Sequence, residues 1–278
     1  MPTPASATIR DEIVRLAGLD LAFPEFARAG LGALRRAVPF DGAAAVAFDP
    51  GTALPVEAWT DSSPIADTDV AACRELAATG QRAAAVGDEL RAVCVSDAGM
   101  WGALVLRRER RAPEFMVRDV DLLASLSSGF DEVQRARLDR EVPADPDDRD
   151  RGLLLLHDND AVELANAAAS AWLEELGVNG RPLPVVVTGV AGRARAIAAG
   201  HGDEAATARV RAASGRWVLV SGSVLGSGAD ARTAVTLEPA RPPEIVDLVA
   251  DASGLTARER RVTELVARLF VDPDALTP

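Results

Sequence analysis

The sequence predicts an α+β protein of two sheet-containing domains, each an antiparallel sheet with flanking helices, followed by a short C-terminal helix. Three observations predict it. Short period-two apolar segments, interleaved with helical stripes, occur in two separate series. Between the series, residues 142–151 hold Pro143, Pro146 and four aspartates, with little to bury. The length of 278 residues and a hydrophobic content of 48% leave room for two cores. The expected boundaries are 1–141 for the first domain, 142–151 for the linker, 152–240 for the second domain and 241–278 for a helical tail.

In the first domain, residues 6–38 read as helix interrupted near Gly18 and Pro24, with Ile9, Ile13 and Leu16 as one stripe and Phe23, Phe26, Leu31 and Leu34 as another. Ala43–Phe48 reads as a strand closed by Asp49-Pro50-Gly51, and Val56–Thr60 as a second. Asp69–Thr79 reads as a helix ending at Gly80. A hairpin follows, Glu89–Ser96 and Met100–Arg107 about an Asp97-Ala98-Gly99 turn, with Trp101, Ala103 and Val105 expected on one face. Residues 117–141 form a long helix. Its stripe Leu123, Leu126, Phe130 and Val133 has coiled-coil-like spacing; it serves either a homodimer or the helix's own sheet.

The second domain opens with strands Gly152–His157 and Ala161–Ala165 about an Asp158-Asn159-Asp160 turn. Asn166 begins a helix whose apolar face includes Ala169, Trp172, Leu173 and Leu176. A second helix spans 184–199, and strands cover 206–213, 216–225 and 231–238. Pro239, Pro242 and Pro243 punctuate the exit before a helix at Glu244–Ala252.

Composition narrows the function classes. The net charge of −12 works against nucleic-acid binding, which draws mainly on phosphate neutralisation. Arg258, Arg260, Arg261 and Arg268 cluster near the end, diluted by Glu259 and Glu264, and read as a solvated helix face. All 30 basic residues are Arg, which fits a GC-rich genome. No apolar run reaches the roughly 18 residues of a membrane span, and Met1–Arg10 lacks a signal-peptide pattern. The expected place is therefore the cytoplasm, with Cys73 and Cys94 as free thiols. Two isolated Cys and two isolated His give no zinc spacing, and no cofactor is expected.

No catalytic set is visible. Gly226 and Gly228 lie between strands and read as a turn, and Ser221-Gly222-Ser223 lacks a nucleophile elbow. Cys94 reads as a buried thiol in mid-strand, His157 as a turn residue and His201 as part of a loop. Core packing accounts for Trp59, Trp101, Trp172 and Trp217. The functional alternative is a small-molecule pocket lined by Phe48, Trp59, Cys94 and Trp101. An enzyme is not expected.

Thr256 and Glu259 have capping-box spacing, and Val262, Leu265, Val266 and Leu269 form one stripe behind them. This stretch, Leu255-Thr256-Ala257-Arg258-Glu259-Arg260-Arg261-Val262, resembles the first helix of the LuxR/GerE-type helix-turn-helix, which usually opens Leu-Thr-x-Arg-Glu-x-x-Val. Upstream, the order helix, strand, strand, helix, hairpin, helix resembles a GAF domain. Met100–Arg107 looks like the closing strand of GAF domains in actinobacterial LuxR-type regulators. The strand, Asp/Asn turn, strand, Asn, helix order from Gly152 resembles the start of a PAS domain, in which the Asn caps the helix. No Cys in that domain could form a flavin adduct.

The resemblance implies the sensory part of a transcription regulator. Phe270–Pro278, with Pro273 among them, stand where the family has a turn and two more helices, so specific DNA binding by this chain is not expected. The implied partners are a second copy or a full-length relative, a small-molecule ligand, and no membrane. A scaffold without DNA binding is the alternative.

Overall fold

The computed structural model describes residues 4–19, 21–61, 65–138, 151–177 and 183–271. The chain divides into two compact units between Arg137 and Leu138. All but the last residue of the expected linker lies outside the described residues.

The first unit runs α1 (Pro4–Ala17), α2 (Phe23–Arg35), β1 (Gly42–Asp49), β2 (Leu54–Thr60), α3 (Asp67–Ala78), β3 (Ala83–Val86), β4 (Glu89–Ser96), β5 (Gly99–Arg107) and α4 (Val117–Leu138). Its sheet has the order β2-β1-β5-β4-β3 and is antiparallel throughout. Every residue of β1 is buried, so both faces of this central strand are covered. Its four alanines let helices approach closely from either side. On the α3 side, Ala44, Val46, Phe48, Val93, Ala103 and Val105 pack with Val70, Cys73 and Leu76. On the other side, Phe23, Phe26 and Ala27 of α2 meet Ala45, Cys94 and Leu104. An Arg10 guanidinium donates to the Ser125 carbonyl and ties α1 to α4.

Two details differ from the sequence expectation. β3 is an added edge strand; its Ala-Ala-Ala-Val sequence has low strand propensity. It forms because Gly87, at φ +60°, closes a tight turn that pairs Val86 with Glu89. The register of β4 against β5 also shifts between Cys94 and Val95. That bulge takes Trp101 out of the alternation, and Met100 joins Ala103 and Val105 in the α3-side core instead. At the hairpin tip Gly99 is required on two counts. Its φ is +121°, and a Cβ there would sit 2.2 Å from the Pro50 carbonyl oxygen.

The second unit runs β6 (Gly152–Leu156), β7 (Val162–Ala165), α5 (Ala167–Leu176), α6 (Val185–Ala198), β8 (Thr207–Arg211), β9 (Trp217–Leu225), β10 (Arg232–Pro239), α7 (Pro242–Ala252) and α8 (Ala257–Val271). A single 3-10 turn, Gly228–Asp230, lies between β9 and β10. Its sheet order, β7-β6-β10-β9-β8, repeats that of the first unit strand for strand. Leu154, Leu156, Val218, Val220, Val235 and Leu237 are buried, as are Trp172 of α5 and Val186, Val187 and Val190 of α6. At Gly152 a Cβ would come 2.9 Å from the Ala169 Cα, so β6 and α5 touch backbone to backbone.

Asn166 carries out the capping role expected of it and more. Its side-chain oxygen accepts from the Ala169 amide at 2.8 Å and from the Leu153 amide at 3.0 Å, and its amide donates to the Arg151 carbonyl at 2.9 Å. One side chain thus caps α5 and fastens it to β6. α7 begins at Pro242, two residues earlier than expected, because proline suits the first helical turn and Glu244 accepts from the Arg241 amide at 2.6 Å. No helix among the described residues is long and apolar enough to cross a membrane.

Candidate functional site

A cluster of four charged side chains lies where α3 meets the β4–β5 hairpin. Glu89 and Arg107 are cross-strand partners, and Arg91 stands two residues along β4 on the same face. Asp69 joins them from the first turn of α3. Its Oδ2 accepts from the Ala66 amide at 3.0 Å, which caps the helix, while its Oδ1 takes the Arg107 guanidinium at 2.7 Å. The Nε of Arg107 donates to Glu89 at 2.9 Å, and the other Glu89 oxygen takes Arg91.

The cluster is electroneutral and half-closed to solvent. Asp69 is 7% exposed, and the side chains of Arg91 and Arg107 are each 22% exposed. Burial alone would lower the Arg107 pKa; its hydrogen bonds to Asp69 and Glu89 outweigh that and raise it. Two donors remain over: Nε of Arg91 and Nη1 of Arg107 are buried without a hydrogen-bond partner among the described residues. Both atoms are covered by the chain itself, so an acceptor oxygen from outside reaches them only when a neighbouring side chain moves aside.

Cys73 lies one turn after Asp69 and is buried. Burial pushes its thiol from 9.0 up to about 11, against the pull of Arg91. The thiol is protonated at neutral pH and unsuited to attack as a nucleophile. Sequence reasoning missed this cluster. Glu89 and Arg91 share a face by period two, but no local pattern shows that Arg107 and Asp69 meet them there.

The four expected pocket residues do not come together. Phe48 packs in the α3-side core. Cys94 lies on the opposite face, on a cavity of about 20 Å³ beside Phe23 and Phe26, room for one water and not for an organic ligand. Trp59 pairs with Ala45, so its register position is on the Cys94 side, and it is half-buried. Trp101 is buried at the bulge, its indole N–H donating to the Ser96 hydroxyl at 2.8 Å. The bulge and the two-sided burial of β1 break the single pocket that period-two counting assembled.

Of the two roles expected for the α4 stripe, its first half takes the second, packing within its own domain. Leu123 and Leu126 are 1% and 2% exposed within the chain itself, so they pack on their own domain and offer no face to a second copy. The side chains of Phe130 and Val133 lie outside those described.

At α8 the capping box forms in both directions. The Thr256 amide donates to Glu259 at 2.9 Å, the Thr256 hydroxyl at 2.6 Å, and the Glu259 amide returns to the Thr256 hydroxyl at 3.4 Å. Hydrogen bonds from the Thr256 hydroxyl and amide hold the Glu259 carboxyl below its ordinary pKa. Arg260 pairs with Asp251 of α7. Val262, Leu265 and Val266 are 55%, 43% and 46% exposed, so this apolar stripe has little cover within the described residues.

No protein-family model matches the chain, and no curated protein matches it. Solved structures do. PelD from Pseudomonas aeruginosa PAO1 aligns at 15% identity over 97% of this chain and 85% of that one, with a TM-score of 0.36. The DhaR(N)–DhaL complex of E. coli aligns at 13% identity over 86% and 91%, with a TM-score of 0.24. A ligand-binding domain of the Pseudomonas aeruginosa amino acid chemoreceptor PctC, solved with GABA, aligns at 12% identity over 84% and 89%, with a TM-score of 0.25. At these scores none of the likenesses bears on activity or ligand, and the LuxR-type resemblance stands on the sequence alone, on residues 255–269, Met100–Arg107 and the order of the elements upstream. The fold class rests on the chain's own strand order: α+β, two five-stranded antiparallel sheets of the same order, each with flanking helices, followed by two C-terminal helices.

Proposed function

We propose that this chain is the sensory part of a bacterial LuxR-type transcription regulator, working through ligand binding and dimerisation and not through catalysis. The observation that carries the reading is the series itself: two sheets of identical strand order, then a helix opened by a reciprocal Thr256–Glu259 cap. In the first domain the small molecule is received on the α3 side, where it reaches the buried N–H groups of Arg91 and Arg107 by displacing a side chain that covers them. The partner is a second copy or a relative that carries a recognition helix.

Residues 1–278 do not read a DNA site by themselves in this account. Their net charge is −12, and base reading needs an element seated in a groove. A titration of promoter fragments from the protein's own locus at about 150 mM salt, where exposed charges are screened beyond roughly 8 Å, tests it. Weak, sequence-independent, salt-sensitive binding is expected; site-specific nanomolar binding contradicts the reading.

The exposed Val262, Leu265 and Val266 stripe favours a second reading, a partner-binding scaffold with no tie to transcription. A Leu265→Asp variant that keeps ligand binding but loses its protein partner, in a cell whose transcription is unchanged, supports that alternative.

A further inference from the structure

A second concave surface of the first domain lies away from the α3 face, between the end of α2 and the start of α4. It is a groove of about 410 Å³ that lies open to solvent along one side; small-molecule sites run from roughly 300 to 1,000 Å³. It is lined by Pro39, Arg108, Pro113, Met116, Arg118 and Asp119 among others.

The floor is built and fixed. Arg108 donates to the Pro39 carbonyl at 2.7 Å and to the carbonyls of Pro113 and Glu114 at 2.9 and 3.0 Å. Its Nη2 lies 3.4 Å from Asp119, and its guanidinium stacks on the Phe115 ring at 3.9 Å. This side chain is only 10% exposed and ties Pro39 to Pro113 and Glu114.

The charges of the lining are unequal in their commitments. Asp41 accepts from the Glu109 amide at 2.8 Å, and Asp119 accepts from the Met116 amide at 3.0 Å and meets Arg108. Arg35 pairs with Asp61 at 2.5 Å and lies over Phe40. Arg118 stands apart: its side chain is 76% exposed, and its approach to Asp119 is 3.7 Å, longer than a hydrogen bond. Beside it Met116 is 47% exposed. A loosely held guanidinium thus stands over an apolar trough of prolines and methionine, on a chain whose net charge is −12.

We infer that this groove binds a small organic acid, its carboxylate on Arg118 and its apolar body along Pro39, Pro113 and Met116. Arg35 is paired with Asp61 and Arg108 with Asp119, which leaves Arg118, 3.7 Å from Asp119 and exposed, as the cation that the groove presents to an anion. The prolines and Met116 select an apolar tail over a fully polar one. The bound acid lies against the first turn of α4, the helix that leads out of the domain.

Octanoate is the probe, with octanamide as its uncharged counterpart. Calorimetric titration of the 278-residue protein should show octanoate binding with a Kd below about 1 mM, and octanamide weaker by about tenfold, one decade being about 1.4 kcal/mol. Arg118→Glu should weaken octanoate by about tenfold or more, since it replaces a favourable charge by a repelling one. Arg118 is exposed, so the variant should unfold at the wild-type temperature. Met116→Asp should weaken both probes together. No octanoate binding at about 5 mM, equal binding of the amide, or octanoate binding indifferent to Arg118→Glu would each overturn the inference. Any of these results leaves the sensory reading of the α3 face untouched, because Arg118 takes no part in that cluster.

Discussion

Asp69 and Arg107 meet at 2.7 Å across the seam between α3 and β5, using the carboxylate oxygen that the cap of α3 leaves over. The same side chain therefore starts the helix and holds it to the sheet. Asp69→Asn keeps an oxygen for the cap but removes the charge beside Arg107. The expected loss is about 2 kcal/mol, below the roughly 3–5 of a fully buried pair because Arg107 is partly exposed. Urea unfolding followed by tryptophan fluorescence measures it. Asp69→Asn and Arg107→Gln should couple by about 1 kcal/mol in a double-mutant cycle. Additive effects would show that the contact stabilises nothing.

Leu126 separates packing from assembly. At 2% exposure it belongs to the core of its own domain, so Leu126→Ala should cost about 2–5 kcal/mol and leave the oligomeric mass unchanged. Light scattering beside thermal unfolding reads both. A stable variant with altered mass would return Leu126 to an interface.

Cys73 gives the first domain a pH dependence at the alkaline end. Its thiol titrates at about 11 when folded against 9.0 as the ordinary value. A raised folded pKa means the folded state holds the proton longer. This contribution is fully present below pH 9 and is lost as pH rises towards 11, about 3 kcal/mol in all. Cys73→Ala should flatten that part of the stability curve. A curve of unchanged slope in the variant would assign the loss to other groups.

Asn166 tests the second domain. Replacing it with Ala removes three hydrogen bonds at the junction of β6 and α5 and should cost about 2 kcal/mol. Asn166→Asp keeps the acceptor and loses only the donor to Arg151, so it should cost less. Equal losses in the two variants would mean that the cap contributes nothing.

These residues also show what the sequence could and could not convey. The helices and nearly all the strands were legible because their apolar periods and caps are local, as at Thr256–Glu259 and Asn166. β3 was not, because an alanine run carries no strand signal until β4 pairs with it. The Phe48, Trp59, Cys94 and Trp101 pocket dissolved because its residues lie on two faces of one sheet. A bulge at Cys94/Val95, invisible to period-two counting, takes Trp101 out of register. The Asp69, Glu89, Arg91 and Arg107 cluster needs a strand register and a helix position together, and neither is local.

The central claim is that tandem GAF-like and PAS-like domains of this chain respond to a small molecule. Thermal unfolding of the 278-residue protein against a panel of organic acids, nucleotides and amino acids tests it most directly. A ligand at 100 times its Kd stabilises its domain by about 2.7 kcal/mol, which moves the midpoint by several degrees. The account predicts that at least one compound raises one transition by about 4 °C or more. It further predicts that Arg118→Glu abolishes that shift for an acid bound in the α2–α4 groove without lowering the unliganded midpoint by a comparable amount, since Arg118 is exposed. A folded protein whose transitions stay fixed across the whole panel would contradict it.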